Sequence, residues 1–475
     1  MAEKYDIAVI GAGSGGLVGA RFAAQAGARV ALIEKHRIGG DCTWTGCVPS
    51  KALIKAANVA HMARTASHFG LNAAVEKVNL KAVMDYVRSA IASVYQHESP
   101  ETLRRQGIEV FIGQGRFTDA HMLAVTTADG PQTITAKNFV ICTGGRPAVP
   151  DVKGLGEVGY ITYEKIFDQE VLPEHLLVLG GGPIGIEMAQ AFRRLGSEVT
   201  VFQSHHQLLP KDEPEAAEVL LRVLRHEGMT VHLNTRVTAA ARAGKSITLQ
   251  TDVGEATGDM LLVATGRKPN VDTLDLDKAG VRYTAKGVPV DEELRTNVKH
   301  IYAAGDVIGG PQFTHYAGYQ AFIAARNALF PGTSKGIPKT VPWTTFTDPE
   351  IAHAGLTEAE ARQAHGDADV GVRVMQMEHV DRAVTESDTA GFIKVVHKKD
   401  GAVLGATIVA ERAGEIIQEW ELAMARDIKM ADLAGSIHVY PTYAIANQQL
   451  ASAYSVESFL SGTAGKLLKR LSGLK

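Results

Sequence analysis

The chain has 475 residues, a formal net charge of −3 and three cysteines. That length exceeds one hydrophobic core and implies about three domains, the charge and the lack of a basic block interleaved with aromatics argue against nucleic acid, and no apolar run reaches the ~18 residues of a membrane span. Three cysteines cannot form a disulfide framework, and MAEKYDIAVIG runs into a strand without a signal peptide, so a cytoplasmic location is expected.

The first predicted elements span Asp6–Lys35, DIAVIGAGSGGLVGARFAAQAGARVALIEK: an apolar strand, a glycine loop, an amphipathic helix and a second strand. Gly11, Gly13 and Gly16 suit a dinucleotide. The first allows the tight turn, the second lets the backbone approach a pyrophosphate, and the third lets helix pack close to strand. The helix N-terminus offers free N–H groups to the phosphates. Glu34, at the end of the second strand, is placed to accept both hydroxyls of an adenosine ribose.

Next comes GGDCTWTGCVPSK, Gly39 to Lys51, with Cys42 and Cys47. On an ideal helix this spacing sets the two residues about 140° apart, whereas a disulfide needs Cα atoms within roughly 7 Å. Gly46 supplies the backbone freedom to distort the turn. Pro49 suits the first turn of a helix continuing through SKALIKAANVAHMA. Thiols near a helix N-terminus, with Lys51 close by, should have lowered pKa values. A redox pair is the expected reading. Zinc would need two further ligands, and no second Cys pair or His cluster offers them at a suitable spacing; a purely structural disulfide is the other alternative. Cys142, in a small-residue strand position before Thr143-Gly144, reads as an inert buried hydrophobe.

The opening pattern returns at Leu176–Gln203, LLVLGGGPIGIEMAQAFRRLGSEVTVFQ, with Gly180, Gly182 and Gly185 in register with Gly11, Gly13 and Gly16, and Gly196 with Gly27. One GxGxxG is a weak signal; two in register, each between the correct strands and helix, specify two dinucleotide-binding units. The second strand of this copy ends in Gln203-Ser204-His205-His206. Without an acid there to repel a 2′-phosphate, NADPH is expected over NADH, although no Arg supplies the usual clamp. ICTGGRP (Ile141–Pro147) and VATGRKPN (Val263–Asn270) bracket the repeat and echo each other. The simplest layout is one dinucleotide domain interrupted by another and then resumed. The resumed part carries HIYAAGDVIGG, where Asp306 could accept hydrogen bonds from a polyol chain. A further domain with strands and helices follows from about Val341. The tail GKLLKRLSGLK is basic and faintly amphipathic; contact with anionic surfaces is one reading, and a frayed terminal helix is the expected one.

Together these residues resemble the class I pyridine nucleotide-disulfide oxidoreductases, the group that includes glutathione reductase, dihydrolipoamide dehydrogenase and mercuric reductase. The likeness rests on the first glycine motif with Glu34, on GGDCTWTGCVPSK, on the second glycine motif with Glu187, on ATGRKPN, on AAGD ending at Asp306, and on FTDPEIAHAGLTEAEA. It implies an α/β fold of two Rossmann-like dinucleotide-binding domains, one inserted in the other, plus a C-terminal α+β dimerisation domain. Residues 1–147 and 268–340 would bind FAD, 148–267 NAD(P)H, and 341–475 would form a homodimer interface. By the same resemblance Cys47 is the charge-transfer thiol against the flavin and Cys42 the interchange thiol. Lys51 lies near flavin N5 and pairs with Glu187 close to the nicotinamide, and a helix beginning at Thr314-His315 points its N-terminus at the flavin C2 carbonyl. Gly40, Thr143 and Gly144 join the FAD site, and Gly266 the NAD(P) site.

One departure from the family matters. Disulfide-reducing members carry a His before a Pro-Thr pair, and a Glu five residues after that His. Here HVYPTYAIAN (His438–Asn447) has Tyr440 and Ile445 in those slots. A tyrosine with an ordinary pKa near ~10 is a poor proton donor to a leaving thiolate. His438, two residues away, could be a displaced base, although a surface or loop residue is the ordinary expectation. The mercuric reductase branch resembles this chain in having Tyr in the His slot, but also uses a C-terminal Cys pair that is missing here. The expected enzyme therefore passes electrons from NAD(P)H through FAD to Cys42–Cys47 and on to a metal ion or other electrophilic oxidant. Lipoamide-type or low-molecular-weight disulfide reduction, quinone reduction at the flavin, and non-enzymatic NAD(P)H sensing are the alternatives. No resident metal is expected.

Overall fold

The computed structural model describes residues 4–474. The chain packs as two compact units, the first comprising the chain up to Phe202 together with Thr235–Pro338, the second Gln203–Asn234 together with the chain from Lys339 on.

The first unit is built on two parallel arrangements. Tyr5–Ile10 pairs in parallel with Val30–Glu34 on one side and with the end of Gly130–Ile141 on the other. Ile108–Asp119 adds outside Val30–Glu34, and Ile301–Ala303 outside Gly130–Ile141. These strands are apolar nearly throughout and buried, as required when helices cover both faces of a parallel sheet. The far ends of Ile108–Asp119 and Gly130–Ile141 continue into an antiparallel ribbon with Met122–Thr127, where burial alternates along the strand.

The second arrangement repeats the first. His175–Leu179 pairs in parallel with Glu198–Phe202 and with Met260–Val263, and Val237–Ala243, Ser246–Thr251 and Gly254–Gly258 form an antiparallel sheet beside them in sequence. The chain leaves the first arrangement through Gly145–Pro147 and returns through Arg267–Pro269, and these two segments pair antiparallel. Asn270 ties the crossing by giving its backbone N–H to Gly144 O and its side-chain amide to Thr143 O. One Rossmann-like region is thus inserted in the other, as the echoing glycine segments imply.

The second unit holds a five-stranded antiparallel sheet in the order Trp343–Thr345, Glu350–Gly355, Val403–Ala410, Phe392–Lys398, Val370–Gln376. Helices pack over it around the fully buried Trp420, whose indole N–H donates to Asn447 Oδ1 at 2.8 Å. Residues 203–234 belong to this unit, a grouping that the sequence pattern does not announce. Charged and polar contacts tie them to it. Lys394 is buried in the sheet, and its ammonium meets Glu213 at 3.2 Å, Glu215 at 2.9 Å and Glu358 at 2.9 Å. Trp343 Nε1 also donates to Asp212 Oδ1 at 2.9 Å.

Breaking a buried ion pair from one side leaves uncompensated charge. Lys394→Met should therefore lower the unfolding free energy by about 3 kcal/mol, whereas Lys81→Ala, which removes an exposed ion pair with Asp85, should change it by less than about 1 kcal/mol. Denaturant unfolding of both variants checks this; equal midpoints would remove the role given to Lys394.

Candidate active site

The two glycine loops match residue by residue. A Cβ on Gly11 would overlap the carbonyl oxygen of Cys142, and one on Gly180 that of Ala264. A Cβ on Gly16 would overlap the Gly11 oxygen, and one on Gly185 the Gly180 oxygen. These four positions are closed by backbone, which is why each helix can lie so near its strand. The middle glycines differ. A Cβ on Gly182 would meet nothing, and one on Gly13 only the Gly40 Cα at 3.8 Å. Both glycines are N-caps without a side-chain capping bond, for the helices Ser14–Gln25 and Pro183–Leu195. Each loop therefore leaves open space in front of unpartnered helix N–H groups, the shape a pyrophosphate fills.

Glu34 caps the first loop. Its carboxylate accepts from the Ala12 and His36 N–H groups, each at 2.8 Å. A cleft opens beside it, lined by Gly11, Glu34, Gln114, Thr143, Asn270 and Leu274. In the second copy Gln203 is buried and Ser204 and His205 are exposed. The fully buried strand positions before them and the exposed run after them follow the sequence pattern. Gly144 and Gly266 both have positive φ, 68° and 124°, with open space at the Cβ position.

The cysteine stretch is two helices, Gly40–Trp44 and Cys47–Thr65, broken at Thr45-Gly46. The break removes the about 140° separation that one continuous helix would impose. It also makes Cys47 the first residue of a long helix, where the helix dipole favours a thiolate. Gly40 abuts Gly13, since a Cβ on Gly40 would sit 2.7 Å from the Gly13 Cα, and Gly39 N–H donates to Ala12 O at 2.8 Å. The cysteines are thereby fastened to the first glycine loop.

A third element meets them. Gly15 and Gly19 of the helix Ser14–Gln25 let the helix Thr314–Leu329 approach until a Cβ on either would stand 3.0–3.1 Å from the Ala317 or Ala321 carbonyl oxygen. This crossing brings Thr314 Oγ1 to 3.2 Å from Cys47 Sγ. His315 is exposed beside it. The two thiols are then unlike. Cys47 is drawn down to about 6 by the hydrogen bond from Cys42, by Thr314 and by the Lys51 charge, against burial and Glu187. Cys42 is pushed up because it shares that hydrogen bond as donor and is partly buried. Cys142, apart from them and buried, is pushed up to about 12 by desolvation alone.

Lys51 and Glu187 form an ion pair at 2.8 Å, linking the cysteine helix to the helix of the second glycine motif. Arg267 is a site residue that the sequence reading passed over, although it lies within ATGRKPN. Its guanidinium pairs with Asp41 at 2.6 Å and Asp306 at 3.0 Å and lies 4.8 Å from the Tyr163 ring centre. Tyr163 in turn donates to Asp41 Oδ2 at 3.1 Å. Burial raises the Asp306 carboxyl, and Arg267 opposes the rise. Asp306 thus enters the site already oriented by an arginine. A charged residue inside a glycine-proline crossover motif was the available signal.

In the second unit Tyr440 is exposed, and its hydroxyl donates to Asp381 Oδ2 at 2.8 Å, a bond that raises its pKa above the ordinary phenol value. His438 does not share its surroundings; it lies in a loop, half-buried. Its Nε2 lies 2.9 and 3.1 Å from the two oxygens of Glu419, and Glu419 also accepts from the Asn447 amide at 2.9 Å. The tail is a terminal helix, Thr463–Leu471, seated through buried Gly465. Carboxylates of Glu386, Asp388 and Glu411 lie within 4.8 Å of one another, with the Tyr443 hydroxyl 3.0 Å from Glu386 and 3.3 Å from Glu411.

Comparison with known proteins agrees with this geometry. The family described as pyridine nucleotide-disulphide oxidoreductase matches residues 5–321, and the dimerisation domain of the same family matches 341–451. A mercuric reductase of Streptomyces lividans is 36% identical over 95% of this chain and 96% of its own length. Another, from Staphylococcus aureus, is 35% identical over 93% of this chain and 80% of its own. Among solved structures, the Cu(II) complex of the HOCl-induced flavoprotein disulfide reductase RclA from Escherichia coli superposes with a TM-score of 0.84 at 26% identity, covering 95% of this chain and all of that one. LpdA from Mycobacterium tuberculosis gives 0.87 at 29% identity, covering 94% and 99%. Among the described residues no helix is long and apolar enough to cross a membrane.

The thiol asymmetry has a direct readout. In the reduced, FAD-free chain, iodoacetamide should label Cys47 with a midpoint near pH 6, the thiol form below it being unreactive, while Cys42 stays unlabelled through neutrality. Lys51→Gln removes a cation that favours the thiolate and should move the midpoint upward. Peptide mapping by mass spectrometry checks both; equal labelling of the two thiols at neutral pH would remove Cys47 from its role.

Proposed function

We propose, from the premise that the chain belongs to the pyridine nucleotide-disulphide oxidoreductase family, that it passes electrons from NADPH through FAD to the Cys42–Cys47 pair and on to a soft metal ion or another electrophilic oxidant. The family assignment implies the two cofactors. FAD, when bound, supplies the two-electron carrier between nicotinamide and dithiol. Gly11, Gly13, Gly16, Glu34, Gly40, Thr143, Gly144 and Asp306, with the helix end at Thr314 and His315, are the residues of this chain that would hold it. Open space at Gly13 and the fastened Glu34 carboxylate suit that role. Gly180, Gly182, Gly185 and Gly266 are the corresponding candidates for the nicotinamide nucleotide. NADPH is preferred because Gln203 stands where an acid would repel a 2′-phosphate.

The observation that carries the acceptor assignment is a pair of unlike thiols, Cys47 held toward the thiolate by Cys42, Thr314 and Lys51, in a chain whose usual acid–base slot holds Tyr440. Soft thiolates select soft ions. Hg(II) displaces the Cys42 proton to solvent, binds both sulfurs, and leaves as Hg(0) when the two sulfurs give it two electrons and join as a disulfide; Cu(II) accepts one electron, so two ions leave as Cu(I) for each disulfide formed. That step needs no proton donor to a leaving group, and Tyr440, with its hydroxyl held by Asp381, is a poor one. The relatives named as mercuric reductases and the structure titled as a Cu(II) complex support the same acceptor class.

A second reading has one observation in its favour. An imidazole held by a carboxylate is the pairing that thiol–disulfide exchange uses, and His438–Glu419 is such a pair. A low-molecular-weight disulfide is the acceptor on that reading.

The two are separated by kcat/KM with NADPH against Hg(II), Cu(II), lipoamide, glutathione disulfide and a quinone. The metal reading expects Hg(II) or Cu(II) to lead, and Cys42→Ser to abolish their turnover. His438→Ala should leave metal turnover unchanged. Fast lipoamide turnover that falls by ~10²–10⁴-fold in His438→Ala would instead establish the disulfide reading, and full activity in Cys42→Ser would move the chemistry to the flavin itself.

A further inference from the structure

The last described helix, Thr463–Leu471, carries three unlike flanks. At about 100° per residue, Leu467, Leu468 and Leu471 fall within one arc of roughly a quarter-turn, and Lys466, Lys469 and Arg470 fall within an arc on the far side. Gly465 lies between them and is buried. A Cβ on Gly465 would overlap the Phe459 carbonyl oxygen, so the helix is seated on the preceding helix Ile445–Ser461 by its glycine flank. Seating by glycine leaves the leucines, Lys466 and Arg470 outward, while Lys469 is half-buried beside Ser452 and Val456 of the preceding helix. The three leucines and Leu474 beyond them are 50–75% exposed, and Val456 and Phe459 of the preceding helix are also more than half exposed. Isolated exposed leucines are ordinary, but a ridge of this kind beside a basic arc is the mark of an interaction surface.

Charge selects the occupant. From Gly462 to Leu474 the chain holds three basic residues and no acid, and the nearest preceding acid, Glu457, is already paired with Arg373 at 2.7 Å. A second copy docking through this same face would set like cations against each other, which opposes the contact. An anionic bilayer offers both complements at once, acyl chains for the leucines and phosphate headgroups for the cations. We propose that the helix Thr463–Leu471 is an in-plane docking surface for anionic lipid bilayers, with Leu467, Leu468, Leu471 and Leu474 inserted at the acyl boundary and Lys466, Lys469 and Arg470 at the headgroups. A single short helix gives reversible attachment, strengthened by each cation and weakened by salt.

The test floats the FAD-loaded full chain with phosphatidylcholine liposomes, with and without phosphatidylglycerol. Flotation is expected with the anionic lipid alone and is expected to fall as salt is raised. The triple variant Lys466→Gln, Lys469→Gln, Arg470→Gln should weaken it by roughly 100-fold, at the usual contribution of a basic side chain to an anionic surface. Leu468→Glu with Leu471→Glu should abolish it while NADPH oxidation and the elution volume on size exclusion stay unchanged. No flotation with either lipid, or flotation undiminished in the leucine variant, overturns the proposal. So does a smaller assembly in the leucine variant, since the leucines would then cover a contact between copies of this chain.

Discussion

The chemistry of the first unit depends on how closely two helices cross. Gly15 and Gly19 on one and Ala317 and Ala321 on the other allow an approach that a larger side chain at either glycine would prevent. One helix begins at the first glycine loop, the other at Thr314, so the crossing sets two helix N-termini near one another in the same unit. The cysteine helix is drawn in by Gly40 against Gly13. Small residues thus do the positioning, and the reactive groups follow: Thr314 reaches Cys47, and Cys47 is itself the first residue of its helix. Three sources that favour negative charge converge on one sulfur: a thiol donor, a hydroxyl donor and a nearby lysine. The second thiol is raised by the same hydrogen bond that lowers the first.

The fold was legible in the sequence because its signals are local. Two glycine motifs in register, apolar strands of the expected length, and the paired crossover segments around the insertion are all readable within some thirty residues of chain. The same holds for the buried Cys142: its place before the crossover matches Ala264 in the second copy, the backbone carbonyl of each lying against the turning glycine of its loop. What was not legible depends on partners far apart in sequence. Arg267 joins Asp41 and Asp306 across separations of 226 and 39 residues, and no periodicity announces such a bridge. Lys394 gathers Glu213 and Glu215 from about 180 residues away, so the grouping of residues 203–234 with the C-terminal strands was invisible to pattern reading.

The segment around Tyr440 shows the limit most clearly. Sequence comparison by slot finds Tyr440 and Ile445 where a histidine and a glutamate are expected, and concludes that the acid–base pair is gone. The slots are empty of it, but a histidine–carboxylate pair exists two residues earlier, made with Glu419 from another helix. A pair of this kind is defined by geometry, and geometry can be satisfied from more than one place in the chain. Asn447 holds Glu419 while accepting from Trp420, so the orientation of His438 is tied to the buried centre of its unit. A tyrosine bound to Asp381 and a histidine bound to Glu419 therefore stand side by side in sequence with opposite dispositions. One is fixed as a donor with its proton retained; the other is an imidazole held by a carboxylate.

That contrast bears on how electrons leave the dithiol. Thiol–disulfide exchange runs fastest when the attacking thiol has a pKa near the ambient pH and the leaving thiol leaves easily. Here Cys47 is the acidic thiol and Cys42 the reluctant one. A disulfide substrate attacked by Cys42 would need the Cys42 proton taken up, and that proton is held in the hydrogen bond to Cys47. A soft metal ion removes that need, because it displaces the proton itself and gains two sulfur ligands at once. The asymmetry of the pair thus makes Cys47 the readily ionised thiol and Cys42 the one whose proton is retained, and both follow from the single hydrogen bond between them.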